Sequence, residues 1–202
     1  MSTPGIAVAV PGVSQTVVDC MLGSFIRTID TLNERLGRLI SWLALLMVLT
    51  QFIVVLTRYV FGLGWIWVQE SIIYMHAFVF LAAAGYALVH DGHVRVDIFY
   101  GSMSDRGKAI VDFIGGLVFL LPMCAMIAWA SFGFVSRAWG IMEGSPEGDN
   151  GIHGVFILKS MILVFCALVA LQGLAMMARS ALTLSGAETP PRPQADMTGE
   201  GV

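Results

Sequence analysis

The sequence predicts an all-α membrane protein. It has four transmembrane helices, an N-terminal amphipathic interfacial helix before them, and both termini cytoplasmic. Three observations predict this. Residues 39–57, 71–89, 113–136 and 160–178 contain no Asp, Glu, Lys or Arg. Each run is about the 20 residues that cross a ~30 Å hydrocarbon core at 1.5 Å per residue. The composition agrees: 57% of the 202 residues are apolar, 12% are charged, and the mean hydropathy is +0.81. Lipid offers backbone groups no hydrogen bonds, so the runs are helices and not open strands.

The elements follow in order. Residues 1–13 carry no Lys or Arg, are interrupted by Pro11, and read as a disordered N-terminus and not a cleavable signal. Over 14–38, Val18, Met21, Leu22, Phe25, Ile29, Leu32 and Leu36 recur at spacings of three and four. Asp19, Arg27, Asp30, Asn33 and Glu34 fill the other faces, an amphipathic helix pattern. Its charges balance, so it is expected along the inner interface or against a partner, with a plain extension of the first span as the alternative. The four-helix domain covers 39–180, with spans at about 39–60, 70–90, 110–136 and 155–179. Pro122 is expected to kink the third span. Ala82–Ala84, Gly85 and Ala87 in the second span, and Gly115 and Gly116 in the third, suit close helix approach. The segment 186–202, with Pro190, Pro191 and Pro193, reads as a disordered tail.

Charge sets the expected orientation. Eight of the eleven Lys and Arg residues fall in the N-terminal segment, the middle loop and the C-terminal segment. The positive-inside rule makes those regions cytoplasmic. The loops 58–70 and 137–159 then face outward, the second bearing Glu143, Glu147 and Asp149. Trp42, Trp65, Trp67 and Trp139 sit at span ends, where aromatic side chains anchor to the interface.

Few residues could carry chemistry. Cys20, Cys124 and Cys166 are isolated and read as small apolar fillers. His76 and His90 are fourteen apart and share roughly one helical face, the spacing that would suit haem ligation. His93 and His153 are not placed to oppose them, so a hydrogen-bonded structural His76 is expected. Metal binding by His90, His93 and Asp97 matches no strong ligand spacing, and an Arg95–Asp97 pair pinning the middle loop is favoured. Arg58, Glu70 and Lys159 lie near the outer ends of three spans. They are candidates for a charged cluster that ties helices or holds a lipid headgroup. Gln51 and Gln172 are expected to bond across helices. No nucleophile elbow, phosphate loop or HExxH occurs, and no basic stretch suggests nucleic acid. No cofactor is expected in this chain, and it is not expected to be an enzyme. No acidic residue lies in the four runs, so a self-contained ion-coupled pathway lacks its usual carboxylate.

One stretch carries a family pattern. It runs Arg58-Tyr59-Val60-Phe61-Gly62, then Trp67-Val68-Gln69-Glu70, then Gly85, then Gly92-His93-Val94-Arg95-Val96-Asp97. An Arg closing the first span, a Trp-x-x-Glu opening the second and a Gly-His-x-Arg-x-Asp turn after it resemble one family. It is the small membrane subunit of tripartite ATP-independent periplasmic (TRAP) transporters, the DctQ-like family. The resemblance covers about residues 35–180. Where that family often has a second acidic residue, this chain has Gln69.

The resemblance implies a multi-pass protein of a bacterial inner membrane, bracing a large membrane subunit that holds the sodium and substrate sites. It implies a periplasmic binding protein that delivers organic acids, with keto acids suggested by Ile98–Tyr100 and the acidic outer loop. Arg58, Trp67, Glu70, His93, Arg95, Asp97 and Lys159 become the expected subunit, lipid or loop-fixing contacts. The competing readings are a membrane haem subunit of an oxidoreductase and a self-sufficient small exporter.

Overall fold

A computed structural model describes residues 13–90, 100, 103–187 and 189–191. Helix α1 runs Val13–Val60 and α2 runs Ile66–Val89. The third span is built of α3 (Asp105–Gly115), a π-helical turn (Gly116–Leu120) and α4 (Leu121–Gly140). A short 3-10 turn, Gly148–Asn150, precedes α5, Val155–Ser185. No strand occurs among the described residues. Four helical stretches are long and apolar enough to cross a membrane: Asp19–Val60, Ile66–Val89, Asp105–Gly140 and Val155–Ser185.

The first 25 residues of α1 are continuous with the first span. Their inward stripe differs from the apolar spacing. Ile26, Ile29, Asp30 and Asn33 are buried, while Met21, Phe25 and Leu32 are exposed. Ile26 and Ile29 pack on Ala175 and Leu182 of α5, with Leu22 beside them. So Asp30 and Asn33, expected on an outer face, point into the bundle. Hydrogen-bonding partners on α5 draw them there.

Helix α5 is central: it packs against α1, α2 and every part of the third span. Ala82 of α2 meets Met161 and Leu168 of α5, and Leu88 meets Cys124 and Val169. Small residues set these approaches. A Cβ on Gly85 would intrude on the Asn33 carboxamide and stand 3.4 Å from Leu168. One on Gly116 would lie 2.8 Å from Met177, whereas Gly115 faces open space. Packing drives association where lipid removes the hydrophobic difference between helices.

The expected distortion at Pro122 takes a particular form. Proline lacks an N–H and its ring collides with the carbonyl four residues back, which is Val118. The chain answers by widening: Leu121 N–H bonds to Gly116 O, five residues back, as in a π-bulge.

Candidate functional site

The described charged groups gather at the two ends of the bundle. At the end carrying the termini, α1 is tied to both neighbours. Asp30 Oδ2 accepts from Arg179 at 2.8 Å, and Asp30 Oδ1 accepts from Gln172 Nε2 at 2.9 Å. Gln172 Oε1 in turn accepts from Asn33 Nδ2 at 2.8 Å. All four side chains are buried. Bonds of this sort are stronger in a low dielectric than in water, and an unpaired member is correspondingly costly. Toward α2, Glu34 Oε2 and His90 Nε2 stand 2.9 Å apart, and the His90 ring lies 4.4 Å from Tyr86. The expectation that Gln172 bonds across helices is met.

At the opposite end, Glu70 fastens the loop between α4 and α5. Its Oε1 accepts a very short bond from the Ser145 hydroxyl, and its Oε2 accepts from the Ile152 N–H at 2.6 Å. Ser145 Oγ also accepts from the Glu147 N–H at 3.0 Å. Lys159 pairs with Glu143 at 2.5 Å, and its ammonium sits 4.0 Å from the centre of the Phe134 ring. Trp139 donates to Ser160 at 2.8 Å and meets Phe156 edge-on, joining α4 to α5. Glu70 and Lys159 therefore act on one loop, from near the N-terminal ends of α2 and α5. Glu147 and Asp149 remain exposed on that loop.

The predicted residues divide as follows. Glu70 and Lys159 converge on the loop but have different partners in it. Arg58 is exposed and forms no ion pair among the described residues. Trp67 is exposed at the start of α2. His93, Arg95 and Asp97 lie outside the described residues. Two expectations are corrected. His76 makes no hydrogen bond among the described residues: it is exposed, with its ring stacked on Phe80 at 6.2 Å. Gln51 likewise faces outward and does not bond across helices. Both sit where α1 and α2 leave an open groove, and neither helix offers them a hydrogen-bonding partner.

Sequence reasoning missed Asp30, Asn33 and Arg179 as one network. Their shared signal was available: two polar residues three apart on α1 and one basic residue closing the last apolar run. No group of three or more His, Cys, Asp or Glu that could hold a metal occurs among the described residues.

A family model described as "Tripartite ATP-independent periplasmic transporters, DctQ component" matches residues 45–183. No curated protein and no solved structure matches the chain.

Proposed function

We propose a function for this chain on the premise that it belongs to the DctQ component family of tripartite ATP-independent periplasmic transporters. It is thus a membrane component of a transporter, not a member of an enzyme family. We propose that it is the small permease subunit, braced laterally against a large membrane subunit of a bacterial inner membrane. In this reading the large subunit carries the coupling ion and the solute. A periplasmic binding protein delivers an organic acid. The termini face the cytoplasm, and the loop held by Glu70 and Lys159 faces the periplasm. There Glu147 and Asp149 offer a fixed acidic surface toward the delivering protein.

One observation carries this reading. The described charges lie toward the bundle's ends, where Glu34 meets His90, Asp30 meets Arg179 and Glu143 meets Lys159, and between them the helices meet through apolar packing. Ala82, Met161, Leu168, Leu88, Cys124 and Val169 fill that interior. A solute path through this chain alone needs polar or ionisable groups facing a cavity enclosed between its own helices. A brace needs rigid helices with outward surface to spare, and α1 supplies that: none of its most apolar 18-residue stretch is buried.

The test is isolation of the chain from its native membrane under mild detergent, followed by reconstitution. The reading expects a larger membrane polypeptide to co-purify. It expects vesicles holding both, supplied with the binding protein, to take up an organic acid along an ion gradient. Uptake by vesicles holding this chain alone would overturn it. A Soret absorbance band in the purified chain would do so equally, in favour of a haem subunit.

A further inference from the structure

Between α1 and α2 lies an open groove of about 390 Å³, lined by Met47, Val48, Gln51, Ile72, Ile73 and His76. Its walls are apolar except for two side chains, the Gln51 carboxamide and the His76 imidazole. At 1.5 Å per residue, His76 stands about 15 Å along α2 from Ile66 and about 20 Å from Val89. Gln51 stands about 10 Å below Arg58 on α1. Both therefore lie deep in the hydrocarbon layer, far from either headgroup region. Both are exposed, and neither forms a hydrogen bond among the described residues.

Acyl chains cannot satisfy these groups, and water does not reach that depth on a lipid-facing surface. Elsewhere four buried polar side chains find one another: Asn33 bonds Gln172, and Asp30 bonds Gln172 and Arg179. The groove's polar pair is complete only if the occupant brings a donor or acceptor of its own. A lipid tail has neither. A transmembrane helix with one polar side chain at half depth has both the shape and the chemistry.

We propose that this groove receives a helix of the large membrane subunit, and that Gln51 and His76 bond a polar side chain on that helix near the bilayer midplane. The proposal rests on the small-subunit reading above. The family description names the chain one component of a tripartite transporter, which favours a different polypeptide over a second copy as the occupant. A single polar contact in an otherwise apolar helix interface fixes depth and rotation, because a slipped register leaves both sides unsatisfied.

The experiment uses the complex purified from its native membrane through a tag on this chain. A benzophenone amino acid in place of Ile73 is photolysed, and the adduct is identified by mass. In parallel, the Gln51→Leu/His76→Leu double variant is compared with His76→Gln, which keeps hydrogen-bonding capacity. The proposal expects an adduct with the larger subunit. It expects a loss of co-purified companion of at least about threefold in the double variant, and near-complete retention in His76→Gln. The double variant removes no hydrogen bond made among the described residues, so its own thermal transition should hold or rise. Three results overturn the proposal: an adduct only with lipid, an adduct only with a second copy, or undiminished companion in the double variant. A benzophenone at Met126 on α4 separates the failures. If the companion co-purifies with the wild type but cross-links only from Met126, the groove assignment falls and the small-subunit reading stands. If no companion co-purifies with the wild type, both fall.

Discussion

Removing the Asp30 carboxylate is the sharpest test of how α1 is held. In Asp30→Ala, Arg179 loses its 2.8 Å acceptor and Gln172 loses its 2.9 Å acceptor. Arg179 is only 9% exposed and its Nε already lacks a partner, so the guanidinium is left buried without compensation. Breaking one side of a buried pair costs about 3–5 kcal/mol. The small residual exposure of Arg179 favours the lower end. For a chain of this size about 1 kcal/mol moves a thermal midpoint roughly 2–4 °C, so a fall of about 6–12 °C is expected. The chain carries its own reporter: Cys124 and Cys166 are buried, and a thiol-reactive dye labels them on unfolding. Replacing both partners, as in Asp30→Leu with Arg179→Met, should recover much of the loss, because no charge is then stranded. A midpoint within 2 °C of wild type for Asp30→Ala would refute this account. So would a double variant less stable than the single one.

Three further outcomes are expected. Glu70→Gln removes the charge that accepts from Ser145 and Ile152, so amide exchange over residues 141–154 should quicken while α2 and α5 keep their protection; unchanged exchange would show that the loop is held otherwise. Lys159→Met should cost about 1 kcal/mol or less, since it trades a partly exposed ion pair and a ring contact for apolar packing, and the effect should shrink in high salt. Gly85→Val should lower stability by about 1–3 kcal/mol, because its side chain meets Asn33 and Leu168, and a thermal midpoint equal to wild type would count against the close approach of α1, α2 and α5.

The sequence and the structure agree where the physics is local. A run with no charges and the length of a bilayer is helical whatever surrounds it, because its backbone has no other source of hydrogen bonds. The sequence therefore announced four spans and the distortion near Pro122. It misplaced Asp30 and Asn33 because amphipathic spacing treats every polar residue as outward. A polar residue turns inward when another helix answers it. Here the answers, Gln172 and Arg179, come 139 to 149 residues later. Gln51 and His76 show the converse: both were expected to bond within the chain, yet neither neighbouring helix offers them a partner.

Length and apolar composition by themselves settled the architecture, and the match over residues 45–183 settled the family. Tertiary structure alone decided which polar groups meet. It put Asp30 with Arg179, put Glu70 with a loop some 75 to 82 residues downstream, and left Gln51 and His76 facing out. The physical reason is that helix formation closes bonds over four residues, whereas polar pairing depends on which helix faces come together, and no local pattern encodes that.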